Sequence, residues 1–133
     1  MKDLTVTKRL GLSFSIRRGR LLIYYSTIRA LGNPDYIRFL FNSRDKKIAI
    51  QCCDPIDRDS FRVHKYQEGM KYQFEITSSP FLSVIYKTCH WDADQTYLCY
   101  GKEYPENRLV EYKLEDATVI AADQFVDPGV TIP

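Results

Sequence analysis

The stretch Gly19–Cys53, GRLLIYYSTIRALGNPDYIRFLFNSRDKKIAIQCC, most narrowly limits the folds open to this chain. Leu21 to Tyr25 is a dense apolar run that reads as a buried strand. Ser26 or Thr27 offers a helix N-cap, Ile28, Ala30 and Leu31 give the helix an apolar side, and Gly32 followed by Pro34 ends it. A helix of about two turns is not stable alone, so the flanking strands must hold it. Tyr36 to Asn42 and Lys47 to Cys52 then form an antiparallel hairpin about the turn Ser43-Arg44-Asp45-Lys46.

The plan extends upstream and recurs downstream. Ser13 to Arg17 alternates, with Phe14 and Ile16 on one side, and predicts a half-buried strand entering a turn at Arg18-Gly19. Asp54-Pro55 breaks the chain and Ile56–Asp59 reads as a linker. From Ser60 the order restarts: a strand at Ser60–Lys65, a turn near Gln67-Glu68-Gly69, a strand at Lys71–Thr77, and a helix at Phe81–Thr88 with Ser78 or Ser79 as cap and Pro80 in its first turn. A strand at Thr96–Gly101, a turn at Tyr104–Asn107 and a strand at Leu109–Leu114 complete it. The expectation is an α+β, mostly β fold: two β-β-α-β-β units, residues 12–53 and 60–114, packed into one small barrel-like domain with two short helices. Leu4–Thr7 is a short edge strand in this reading, Leu114–Ala122 a strand or short helix, and residues 115–133 a C-terminal extension ending in a surface tail.

Composition agrees with a packed domain. Hydrophobic residues make up 44% of the 133, and ten Tyr and seven Phe favour strands. No apolar run approaches the roughly 20 residues of a membrane helix, and Met1–Phe14 lacks the apolar core of a secretory signal, so the expected location is the cytoplasm, away from membranes. Cys52, Cys53, Cys89 and Cys99 are then expected as free thiols. With His64 and His90 they match no common zinc spacing. Asp54, Asp57 and Asp59 share a linker but lack the further ligands of a calcium loop. No phosphate-binding glycine loop, H-E-x-x-H or nucleophile motif occurs, so neither an enzyme nor a cofactor is expected.

The net charge of +2 conceals an asymmetry. Residues 1–65 carry +8 and residues 66–133 carry −6, and nine of the ten arginines lie in the first part, Arg108 being the exception. This suggests separate basic and acidic surfaces.

The first unit resembles AbrB-type swapped-hairpin DNA-binding domains through Gly19-Arg20-Leu21-Leu22-Ile23, Ile28-Arg29-Ala30-Leu31-Gly32 and the hairpin Tyr36–Cys52. As a tandem repeat in one chain it is similar to MraZ-type proteins. The resemblance implies duplex DNA as partner and makes Arg17, Arg20 and Arg29 candidate contacts, with Arg18 joining them by position. A basic turn beside a helix bearing Arg also suits a phosphate backbone on chemical grounds. The functional expectation is a small non-enzymatic DNA-binding or regulatory protein. The alternative is a protein–protein interaction module, an inhibitor or adaptor such as phages and mobile elements encode. It would dock through Glu103, Tyr104, Glu106 and Glu111. A homodimer is compatible with either reading.

Overall fold

The computed structural model describes residues 9–63 and 73–121. The expected strand at Leu4–Thr7, the turn at Gln67–Gly69, His64 and the tail from Asp123 lie outside the described residues. The fold is α+β and mostly β: two five-stranded sheets, antiparallel at every strand pair, with two short helices.

The first sheet is built on the hairpin of β1 (Gly11–Ser15) and β2 (Arg20–Tyr24). The second is built on the hairpin of β3 (Tyr36–Asn42) and β4 (Lys47–Cys52). Helix α1 (Tyr25–Ala30) carries the chain from one to the other. The strands after Cys53 flank these hairpins. β5 (Phe61–Arg62) pairs with β3, and β6 (Gln73–Thr77) pairs with β2. Helix α2 (Ser79–Cys89) then leads to β7 (Thr96–Tyr100), which pairs with β1. β8 (Lys102–Tyr104) and β9 (Leu109–Lys113) extend the second sheet from β4, and β10 (Thr118–Ile120) closes the first against β7. The orders are β10-β7-β1-β2-β6 and β5-β3-β4-β9-β8.

The second unit therefore differs from the first. β1 and β2 form a hairpin, whereas β5 and β6 lie in different sheets. Of the strand expected over Ser60–Lys65, β5 covers Phe61–Arg62, Ser60 and Val63 fall outside the ladder, and the rest lies outside the described residues. None of the described strand pairs joins one sheet to the other, so the described strands do not close into a barrel. The two sheets instead share one interior.

That interior is contiguous. Leu12, Phe14, Leu21, Ile23 and Ile76 of the first sheet meet Ile37, Ile48, Ile50, Val110 and Tyr112 of the second in a single buried cluster. Both helices face it. Leu82, Ile85 and Tyr86 of α2 are buried, and the Phe81 ring sits 5.4 Å from Phe39 and 6.1 Å from Phe41 on the inner side of β3. The Tyr112 hydroxyl reaches Thr27 Oγ1 of α1 at 3.5 Å. The Tyr86 hydroxyl lies 2.9 Å from the Phe14 carbonyl and 2.7 Å from the Gln95 carbonyl, and shares its one proton between them. A buried phenol needs such a partner, and these two tie α2 and the second sheet into the core.

Local details depart from expectation for identifiable reasons. β1 begins two residues early and is buried throughout, because it is central in its sheet. Its outward residue Ser13 has Leu22 and Leu98 as register neighbours, and these belong to a satellite cluster with Tyr24 and Ile120. Helix α1 starts at Tyr25, so Ser26 and Thr27 are buried inside it rather than capping, and the Ser26 hydroxyl donates to the Arg9 carbonyl at 2.9 Å. Helix α2 likewise has no side-chain cap. Gly32 ends α1 as expected, at φ +85. Of the expected turn over Tyr104–Asn107, Tyr104 belongs to β8, and Pro105–Asn107 is a single 3-10 turn.

The crossing from β7 to β8 depends on Gly101. A Cβ there would lie 2.5 Å from Val110 Cγ1 and 2.7 Å from the Tyr112 ring, both fully buried. Gly101→Ala is expected to lower the unfolding free energy in urea by about 1–3 kcal/mol, the cost of overpacking a filled core. An unchanged midpoint would show that the corner has room to spare.

Candidate nucleic-acid interface

The four arginines singled out from sequence do not act as one patch. Arg17 and Arg18 are exposed on the β1–β2 turn, which Gly19 closes at φ +65 and which the Ser78 amide anchors by donating to the Gly19 carbonyl at 3.0 Å. They border a groove of about 440 Å³ whose other wall includes Asp94. Arg20 is committed: its Nη1 donates to Glu75 Oε1 on β6 at 3.2 Å, and its Nε is buried without a hydrogen-bond partner. Arg29 is exposed on α1, which begins at the end of β2 opposite that turn.

The four residues of the alternative reading are also dispersed. Strand alternation turns Glu103 to the core side of β8, opposite buried Val110, while Tyr104 and Glu111 face outward. An inward-pointing charge on an edge strand discourages pairing with further chains. Glu106 is exposed in the 3-10 turn. The linear charge asymmetry is thus not carried over into two opposed surfaces. Arg20 pairs with Glu75, and Lys47 Nζ lies 3.9 Å from Glu111 Oε1, so first-half cations meet second-half acids.

A different surface emerges from the strand register. The second sheet buries Ile37, Ile48, Ile50, Val110 and Tyr112, so the residues between them point away from the core. The rows are Arg38–Gln51–Leu109–Tyr104, Leu40–Ala49–Glu111–Lys102 and Asn42–Lys47–Lys113, with Arg62 beside Tyr36 at the β5 edge. Both helices pack on the inner side, and among the described residues this outer face carries a mixture of exposed and half-buried side chains, with Ala49 buried in its middle. Arg62, Lys102, Lys113 and Tyr104 are exposed, and Leu40 is 40% exposed. Arg38, Lys47, Arg62, Lys102 and Lys113 stand on it against one carboxylate, Glu111.

The side chains are partly organised. Arg38 Nε and Nη2 donate to Gln51 Oε1 at 3.2 and 2.9 Å, and Gln51 Nε2 donates to the Asn107 carbonyl at 3.2 Å. The Lys102 ammonium lies over the Tyr104 ring, 5.5 Å from its centroid. The β3–β4 turn at one end adds Arg44, Asp45 and Lys46, with Asp45 held by Asn42 at 3.0 and 3.1 Å. At the other end the linker contributes Asp54, Asp57 and Asp59, where Asp57 rather than Asp54 makes the turn contact, accepting from the Asp54 amide at 3.1 Å. The cationic area therefore runs through the middle of the sheet toward the β3–β4 turn. None of these cations is picked out as a site by the linear order. The signal that would have found them is the alternation Tyr36-x-Arg38, Lys47-x-Ala49-x-Gln51 and Lys102-x-Tyr104 read together with the strand neighbours.

The thiols have no chemistry of the activated kind. All four cysteines are free. Burial pushes each above its ordinary value of 9.0, Cys99 to about 12. At Cys52 the Arg108 guanidinium pulls the other way, but burial wins, and the thiol donates to the Leu31 carbonyl at 3.2 Å. Raised thiols are poor nucleophiles at neutral pH. Among the described residues no three His, Cys, Asp or Glu side chains come together to hold a metal ion, and no helix is long and apolar enough to cross a membrane.

No protein-family model matches the chain, and no curated protein and no solved structure matches it.

The neutral forms of Cys99 and Tyr86, each held up to about 12 by burial, favour the folded state. Their contribution is fully present below the ordinary values of 9.0 and 10.0 and is lost as pH rises toward about 12. Urea midpoints followed by Trp91 fluorescence are expected to be level up to about pH 9 and to fall above it, and thiol labelling at pH 8 to be slower in the native protein than in urea, slowest at Cys99. A midpoint that rises above pH 10, or native labelling at the unfolded rate, would contradict this.

Proposed function

We propose that the protein is a small non-enzymatic nucleic-acid-binding protein, regulatory in kind, and that it holds its ligand on the outer face of the second sheet. The reading rests on one observation: Arg38, Lys47, Arg62, Lys102 and Lys113 share the outer sheet face with a single carboxylate, together with exposed Tyr104 and half-buried Tyr36. Clustered cations neutralise phosphates and release their counterions, and this sequence-independent term is a large part of nucleic-acid affinity. Arg17 and Arg18 on their turn add a second, smaller cationic site. The likeness of residues 19–52 to AbrB-type domains supports the same ligand class. The protein-docking alternative is less well supported, because Glu103, Glu106 and Glu111 do not share a face.

The test is charge reversal. Arg38→Glu, Lys47→Glu and Lys102→Glu together are expected to weaken binding of a mixed-sequence oligonucleotide more than about a hundredfold at moderate salt, and to make the slope of log K against log salt shallower by about 2–3. Arg29→Glu is expected to leave binding within about threefold. A triple variant that melts like the parent and binds like it would sink the proposal.

A further inference from the structure

We infer that the ligand of this face is a single strand, read by stacking on Tyr36 and Tyr104, rather than a duplex. This inference rests on the nucleic-acid reading above and specifies its substrate.

The argument begins with shape. Reading a duplex through its major groove requires a helix or a two-stranded ribbon that inserts. The helices here are turned to the core: Tyr25, Ser26, Thr27 and Ile28 of α1 and Leu82, Ile85 and Tyr86 of α2 are buried. Their cations are Arg29 and Lys87, one each. The basic face is a sheet surface, and neither α1 nor α2 lies over it. Such a surface lets unpaired bases lie down on it, while a duplex keeps its bases turned inward and meets it with backbone alone.

The second element is the pair of rings. Tyr104 shares a row with Arg38, and Tyr36 stands two residues from Arg38 along β3, beside Arg62. Three strand spacings and one pleat repeat separate the rings by about 14 Å across the sheet and about 7 Å along it. Between the rings lie Arg38, Gln51 and Leu109, so a strand passing from one platform to the other crosses a guanidinium and a partly exposed leucine. Each ring has a cation next to it, Arg62 at Tyr36 and Lys102 at Tyr104, where a phosphate would follow a stacked base. The Lys102 ammonium sits near the outer limit of a cation–π contact, so an incoming base can displace it.

The experiment measures fluorescence anisotropy of a labelled oligothymidine strand, and of its duplex with oligoadenosine, against the full chain. The single strand is expected to bind at least about tenfold more tightly. Tyr104→Ala and Tyr36→Ala are each expected to weaken it by about fivefold to a hundredfold, with duplex binding unmoved. Tyr104→Phe, which keeps the ring, is expected to retain parental affinity and guards against a merely structural effect. Equal affinity for strand and duplex, together with indifference to both alanines, would overturn this inference and leave the nucleic-acid reading standing. Binding to neither, with retention on immobilised polyglutamate, would assign the face to an acidic protein and overturn both.

Discussion

Strands β1 to β7 and β9 each give one side to a single interior, and that requirement sets the rest. Both sheets are built from strands of both halves of the chain. The hairpins β1–β2 and β3–β4 occupy the middle of the two sheets, and the later strands cover their edges: β6 and β7 beside the first, β5 and β9 beside the second. The core is closed by side chains rather than by a continuous ladder. Tyr112 touches α1, Phe81 of α2 packs on β3, and the Tyr86 hydroxyl is held by carbonyls at the ends of β1 and the α2–β7 loop. The Tyr86 and Tyr112 hydroxyls that the interior admits are hydrogen-bonded, the condition for burying a phenol without penalty, whereas Arg20 Nε at the sheet margin is buried without a partner.

Function then has to be found on what the core leaves over. Both helices are consumed by packing, and the thiols and phenols that ionise most reluctantly are those most deeply buried. The first sheet turns Leu22, Tyr24, Leu98 and Ile120 outward as a satellite apolar cluster. The second turns outward a row of cations and two tyrosines. Charge reaches that face from both halves of the chain, Arg38 and Lys47 from one and Lys102 and Lys113 from the other.

Much of this architecture was legible in residue order. Gly19 in its turn and Gly32 at the helix end stand where the residue order puts them, both at positive φ, and the hairpin Tyr36–Cys52 falls where expected. The mostly β α+β class and two short helices followed from the same pattern. Strand partnership was not legible. Ser60–Lys65 alternates like Ser13–Arg17, yet β5 joins the opposite sheet from β6, because the free edge of β3 is what it meets after the Asp54–Asp59 turn. The site was missed for the same cause. Lys102 and Lys113 sit in an acidic half by composition, and only the β4–β9–β8 register brings them next to Lys47. Arg20 looked available until β6 brought Glu75 alongside it.

The most direct test is ultraviolet cross-linking of a bound single-stranded oligonucleotide to the full-length protein, with the modified peptides located by mass spectrometry. Adducts should fall on β3, β4, β8 and β9, with Tyr36 and Tyr104 foremost, and the peptides of α2 should be clean. Adducts confined to the β1–β2 turn or to the helices would contradict the assignment of function to the open face of the second sheet.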